Sequence, residues 1–272
     1  MSKTKHNVMI IGAGSMGKAI AFKLTSKNWS GNITLTVKNT ERRKDVGQEI
    51  NGCGIKLKIG NTTDLQNTDI LIIAVKPQGI NVLCKELAGK INSDTILISI
   101  AAGTDIKSLT TGFKHEKVIR CMPNTALKIG KSVTTWMPSE NVSRLDIQSA
   151  QALFDSWGIE HRVSVERHLD MATAIFGTGP ALIDYFINEF YDGAIHIGFP
   201  KNKLMKLIMH MVVGTIELAK KEEGKHLAEL INQVTSPGGT TAEALYVFKK
   251  RSFGATITES LIKAFEKIVN LR

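Results

Sequence analysis

The 272-residue sequence predicts an α/β fold in which a doubly wound, mostly parallel sheet is followed by an all-helical half. Three observations predict it. From Asn7 to about Ser164, short β-rich runs alternate with helix-like stretches, the grammar of βαβ units. The run Ile70-Leu71-Ile72-Ile73-Ala74-Val75 is apolar without a break, as in a central parallel strand buried on both faces. After about Val165 strand-like runs give way to long amphipathic stretches. The chain accordingly divides into a sheet domain, 1–164, and a helical domain, 165–272.

In order, the candidate strands are Val8–Ile11, Ile33–Val37, Lys56–Ile59, Ile70–Val75, Ile96–Ile100, Val118–Cys121, Ser132–Trp136 and Glu160–Val163. Helical periodicity marks Met16–Ser26, Glu41–Ile50 and Ile80–Leu87 between them. The helical half reads as Pro180–Ile197, Pro200–Lys221, Leu227–Gln233, Thr241–Lys250 and Thr256–Asn270, with Pro180 and Pro200 each suited to a first turn. Leu204, Leu207, Ile208, Met211, Val212, Ile216 and Leu218 spread apolar side chains around much of one helix. Such a helix needs cover on more than one side, which predicts a homo-oligomer.

Composition narrows the function. No stretch has the length and apolar purity of a membrane span. Residues Met1 to Asn7 run straight into an apolar strand, unlike a signal peptide. Cys53, Cys84 and Cys121 are odd in number and far apart, which fits a reducing cytoplasm and neither a disulfide framework nor a metal site. The formal charge is +10, but the basic residues are scattered among acids and only 6% of residues are aromatic. That pattern speaks for a solvated basic surface rather than a nucleic-acid interface.

Directly after the first strand comes Gly12-Ala13-Gly14-Ser15-Met16-Gly17, followed by a helix. In this strand–turn–helix context the spacing is a dinucleotide fingerprint. Gly12 allows the tight turn, Gly14 lets backbone approach a pyrophosphate, and Gly17 lets the helix pack closely. The helix N-terminus then faces the anion. At the end of the second strand, where an NAD site usually carries an acid, stand Lys38 and Asn39, with Arg42, Arg43 and Lys44 behind them. Glu41 sits among these bases, so NADPH is favoured over NADH. Three further strand-end loops, Ala74-Val75-Lys76-Pro77, Ala101-Ala102-Gly103 and the one holding Asn124, would line the same edge.

A second glycine-rich helix start, Val234-Thr235-Ser236-Pro237-Gly238-Gly239-Thr240-Thr241-Ala242-Glu243, offers backbone N–H groups to another anion, such as a substrate carboxylate. Thr240 and Glu243 have capping-box spacing. Gly177-Thr178-Gly179-Pro180 is a third such start. Two well-capped helices are the plainer reading of these residues.

These motifs together resemble the pyrroline-5-carboxylate reductase family. VTSPGGTTAEAL (234–245) is similar to its C-terminal signature, FGTGPA (176–181) to a helix opening, RCMPNTALKIG (120–130) to the loop closing its cofactor site, and IGAGSMGKAI (11–20) to its fingerprint. The matches keep the family's order across nearly the whole chain. The resemblance implies a Rossmann domain followed by an all-α dimerisation domain whose helices interleave, giving a homodimer or a larger homo-oligomer of dimers. It implies NADPH-dependent reduction of a small cyclic imine, pyrroline-5-carboxylate, to proline. It further implies that Thr241 is catalytic, its hydroxyl bonding the ring nitrogen. Ser236, Gly238, Gly239, Thr240, Thr241 and Thr178 would bind substrate. Gly12, Ala13, Gly14, Ser15, Met16, Lys38, Asn39, Ala74, Val75, Lys76, Pro77, Ala101, Ala102, Gly103 and Asn124 would bind cofactor.

A protonated cyclic imine is already electrophilic, so its reduction needs orientation and exclusion of water more than a strong acid. Consistent with that, no carboxylate pair or nucleophile–histidine arrangement stands out. Phe176, Leu182 and Ala126 depart from the family pattern and keep two alternatives in view: a piperideine carboxylate as substrate, and a non-catalytic NADPH-binding regulatory protein.

Overall fold

The computed structural model describes residues 6–26, 31–60 and 65–270, so most of the N-terminal stretch read above as a leader-free run into the first strand lies outside it. It divides into two compact units, one formed by residues 1–178 and 264–272, the other by 179–263.

Among the described residues the first unit holds an eight-stranded sheet. Its strands are β1 (Val8–Ile11), β2 (Ile33–Val37), β3 (Ile55–Ile59), β4 (Ile70–Ile73), β5 (Ile96–Ser99), β6 (Val118–Met122), β7 (Ser132–Pro138) and β8 (Gly158–Arg162). Their spatial order is β3-β2-β1-β4-β5-β6-β7-β8. Every neighbouring pair is parallel except β6 with β7. That exception has a cause in chain length: residues 123–131 between them hold only a short 3-10 turn, and a parallel return needs a dozen or more residues with a crossover helix.

Helices cover both faces: α1 (Ser15–Ser26), α2 (Thr40–Glu49), α3 (Ile80–Leu87), α4 (Ile106–Phe113), α5 (Arg144–Asp155) and α6 (Arg167–Ala172). In β1, Val8 and Ile10 join an apolar cluster with α1 and α5 residues such as Leu24 and Phe154. The alternate residues Met9 and Ile11 join a second cluster with Leu83 of α3 and Leu109 of α4. β1, β4 and β5 are buried at every position, which is why they read as unbroken apolar runs.

The second unit is helical: α7 (Gly179–His196), α8 (Leu204–Lys221), α9 (Leu227–Gln233), α10 (Thr240–Lys250) and most of α11 (Phe253–Val269). α6 runs into α7 through a π-helical segment, Thr173–Gly177, and Pro180 lies in the first turn of α7 as expected. Pro200 does not open α8. The helix starts at Leu204, because Lys203 before it takes a left-handed conformation (φ 61°) and the Leu204 N–H closes a turn on the Lys201 carbonyl.

Candidate active site

The ends of β1 and β4 meet where strand order reverses, the place where open α/β sheets bind ligands. Gly12 there has φ 111°, and a Cβ on it would lie 2.6 Å from the Ala74 carbonyl oxygen. A Cβ on Gly17 would lie 1.8 Å from the Gly12 oxygen, so α1 packs on the turn only through glycine. Gly14 differs: nothing lies within 4 Å of where a Cβ on it would stand, so the protein's own packing does not require glycine there. Its bareness leaves a cradle open that a side chain would fill. The first turn of α1 carries no acid, so its positive dipole end is left for an anion. Ala13 is buried, Met16 half-buried and Ser15 exposed. These residues fit a dinucleotide pyrophosphate.

At the end of β2, Lys38 and Asn39 are exposed, as are Glu41, Arg42, Arg43 and Lys44. Asn39 caps α2: its Oδ1 accepts the Arg42 N–H at 3.1 Å, and its Nδ2 makes no hydrogen bond among the described residues. Among the described residues no carboxylate forms an ion pair with Lys38, Arg42, Arg43 or Lys44.

The next loops follow β4, β5 and β6. The Ala74 N–H extends the ladder to the Ile11 carbonyl at 2.8 Å, Val75 and Pro77 are half-buried, and Lys76 is exposed. Ala101 and Gly103 are buried with Ala102 between them, and Gly103 turns with φ 69°. Asn124 donates its backbone N–H to Ser132 Oγ at 3.0 Å, while its side-chain oxygen accepts the Ala126 N–H at 3.3 Å. A cavity of about 420 Å³ is lined by Met16, Asn124, Thr173, Thr178, Ala264 and Lys267, among others. Thr178, expected with the substrate, therefore shares a cavity with two residues expected at the cofactor.

The C-terminal signature lies in the other unit. Ser236 to Gly239 form a turn closed by the Gly239 N–H on the Ser236 carbonyl at 3.0 Å, with Pro237 second and Gly238 third at φ 69°. That is the residue pattern of a type II turn. The helix begins one residue earlier than a Thr240 cap would require. Gly239 is the N-cap of α10, and having no side chain it makes no side-chain cap bond. The expected Thr240–Glu243 capping box is thus absent, because Thr240 already belongs to the helix. The box forms instead at Ser143 with Asp146 and at His226 with Glu229. A Cβ on Gly239 would meet Ser236 Oγ at 2.6 Å. Thr241 is half-buried, whereas Ser236, Gly238 and Thr240 are exposed. Thr235, Thr256 and Thr258 bond their hydroxyls to carbonyls four residues back; the Thr241 hydroxyl has no hydrogen bond among the described residues. Of the two residues that depart from the family pattern here, Phe176 lies in the π-helical segment and Leu182 lines an apolar groove of the helical unit.

One cluster escaped the sequence reading. Arg120 on β6 is buried, with Nη1 2.9 Å from Glu166 Oε1 and Nη2 2.7 Å from Asp170 Oδ1. Glu166 Oε1 also accepts the Ile106 N–H at 2.8 Å. Only the Arg120–Asp170 pair is buried on both sides, and removing Asp170 from such a pair typically costs about 3–5 kcal/mol. An arginine inside an otherwise apolar strand was the available signal; its partners, 46 and 50 residues away, gave none. Burial pushes up the thiols of Cys84 on α3 and Cys121 on β6, which disfavours a reactive thiolate at either.

A glycine turn at the switch point of a doubly wound sheet, with basic residues at the end of β2, defines a dinucleotide-dependent oxidoreductase. Residues 7–103 match the family model described as NADP oxidoreductase, coenzyme F420-dependent. Residues 166–271 match the model for pyrroline-5-carboxylate reductase dimerisation. The pyrroline-5-carboxylate reductase of Synechocystis sp. is 31% identical over 95% of this chain and 95% of its own. That of Escherichia coli is 30% identical over 97% of each. The crystal structure of the Plasmodium falciparum pyrroline carboxylate reductase with NADP bound covers 98% of both chains at 27% identity, with a TM-score of 0.87. The chain belongs to the pyrroline-5-carboxylate reductase family.

Proposed function

We propose that the chain reduces L-1-pyrroline-5-carboxylate to L-proline with NADPH, working as a homodimer or larger homo-oligomer in a reducing, cytoplasmic setting. The observation that carries the reading is a pair of glycine-built cradles, opening α1 and α10, in a chain that aligns over 95% of its length with a curated reductase. Gly12 to Met16 would cradle the pyrophosphate, and Lys38 with Asn39 Nδ2 would meet the ribose phosphate. Ala74 to Pro77, Ala101 to Gly103 and Asn124 would hold the nicotinamide end. When bound, NADPH supplies the hydride for the C=N carbon. Backbone N–H groups within 236–241, apart from the turn-closing Gly239 N–H and with Pro237 offering none, would grip the imine's carboxylate, where α10 lacks a side-chain cap. The Thr241 hydroxyl, without a bond in the described chain, would orient the ring nitrogen, with Thr178 on the substrate side of the cofactor cleft.

An apolar groove of about 640 Å³ in the helical unit, lined by residues including Leu182, Phe186, Phe248, Phe253 and Ile257, supports pairing of two copies there. Tyr185, Phe190 and Ile197, all exposed in the single chain, line the same groove, and exposed apolar side chains gathered in one place mark interaction sites.

NADPH oxidation with pyrroline-5-carboxylate, run beside NADH and beside piperideine-6-carboxylate, tests the reading. Turnover fastest with NADPH and the five-membered ring is expected; turnover of only the larger ring would move the substrate, and NADPH binding without any turnover would sink the enzymatic reading. Thr241→Ala is expected to lower kcat by about 10- to 100-fold, one hydrogen bond's worth at the transition state, with NADPH affinity unchanged. Equal loss of both would reduce Thr241 to a structural role.

A further inference from the structure

We infer that Glu166 is a positioning residue, whose single oxygen Oε1 ties together the loops after β5 and β6 and the helix leading to Thr178. The inference rests on the reductase reading above. Glu166 Oε1 accepts from two donors: the Ile106 N–H at 2.8 Å and Arg120 Nη1 at 2.9 Å. Ile106 opens α4, three residues after Gly103 and so at the base of the loop Ala101 to Gly103. Arg120 lies on β6 four residues before Asn124. Glu166 itself is the residue before α6, which continues through the π-helical segment Thr173–Gly177 to Thr178. Three parts of the candidate site thus converge on one atom.

The rest of the cluster explains why that atom stays put. Arg120 is held from its other nitrogen by Asp170 at 2.7 Å, one turn further along α6, so the guanidinium cannot turn without breaking a buried bond. Asp170 also balances the Arg120 charge by itself. The role left to Glu166 is therefore geometric: an acceptor oxygen placed between a loop amide and a fixed guanidinium. The Glu166 side chain is 26% exposed against 2% for Arg120 and Asp170, so its removal opens the cluster to water rather than leaving a sealed void. Displacement of catalytic loops by about 1 Å is enough to cost on the order of 10²-fold in rate.

The test compares Glu166→Ala with Glu166→Gln in the full-length protein. Glutamine keeps an oxygen at the Oε1 position and loses only the charge, which Asp170 already covers. Glu166→Ala should melt within a few degrees of the wild type, yet lose about 10- to 100-fold in kcat with pyrroline-5-carboxylate and bind NADPH more weakly. Exchange of the Ile106 amide should accelerate in the alanine variant. Glu166→Gln should restore both the rate and the amide's protection to near wild type. The inference is overturned if the alanine variant keeps wild-type kcat and NADPH affinity, or if glutamine is as damaging as alanine. NADPH binding and amide exchange need no turnover, so they decide the positioning role even if the wild type fails to reduce this imine. That failure would count against the substrate reading instead.

Discussion

In the sheet unit, β1, β4 and β5 are buried at every position, and apolar residues of β1 to β7 and α1 to α5 close two continuous clusters. In the helical unit the one cluster of buried apolar residues holds only Ile187, Leu204 and Ile208. Tyr191, Ile195 and Val212 pack partly against it, but many other large apolar side chains lie open in the single chain: Tyr185 is 66% exposed, Leu207 53% and Ile197 84%. The same hydrophobic content therefore does two kinds of work. The sheet unit spends its apolar residues on its own core. The helical unit buries few of its own and leaves the rest uncovered within the single chain. Helices with apolar residues around most of their circumference are the sequence-level trace of this second strategy.

The largest effect should come from charging the uncovered face. Tyr185→Lys with Ile257→Lys places two cations in the groove, where pairing would bury them at a cost of several kcal/mol. The dissociation constant of the oligomer should rise on the order of 10³-fold, read by sedimentation at falling concentration. NADPH binding to the sheet unit should persist. An unchanged sedimentation profile would mean that association uses another surface.

The glycine turn sharpens the contrast from the other side. Gly17→Ala drives a methyl into the Gly12 carbonyl and should destabilise the sheet unit by about 3 kcal/mol or more, seen as an early unfolding transition. Gly14→Ala meets nothing in the protein, so its melting curve should match the wild type while its NADPH Kd rises about tenfold or more. If both variants behave alike, the distinction between packing glycine and binding glycine is wrong.

The smallest effect is one of pH and belongs to the sheet unit alone. Buried His115 donates its ring Nε2–H to the Thr95 carbonyl at 2.7 Å. Burial holds its pKa below the ordinary imidazole range, with Lys117 adding to the effect and the Thr95 bond and Glu116 opposing it. The unfolded chain thus takes up the proton more readily than the folded one. This contribution to stability is complete above an unfolded pKa of about 6.5 and is lost as pH falls through the lower folded value. Urea midpoints for the wild type should drop between neutral and mildly acidic pH, and His115→Gln should flatten that slope. An identical slope in the variant would remove His115 from the account.

What the sequence disclosed followed local rules. β1, β2, α3 and α9 could be bounded from their apolar runs and periodicity alone, and the glycine turn that starts at Gly12 could be placed between a strand and a helix. Two local rules failed for identifiable reasons. Pro200 suits a helix start but lies ahead of the turn from Lys201 to Leu204, and Thr240 suits a cap but stands one residue inside α10. Non-local features were silent. Nothing near Arg120 in the chain announces Glu166 or Asp170, because their pairing exists only once α6 lies over β6 and β7. Likewise, no spacing rule brings Ala264 and Lys267 to the cavity of Met16 and Asn124.

Those last residues have a mechanical consequence. Because 264–272 return to the sheet unit, the helical unit is an insertion in the chain and not an appendage to it. Both of its ends are tethered while the sheet unit stays folded. An unfolded insertion so tethered is a closed loop with less freedom than a loose tail, so refolding it loses less entropy. Shortening the chain from its C-terminus would first strip buried Ile268 from the dinucleotide half, leaving the helices between intact in sequence but held by a single strand of polypeptide.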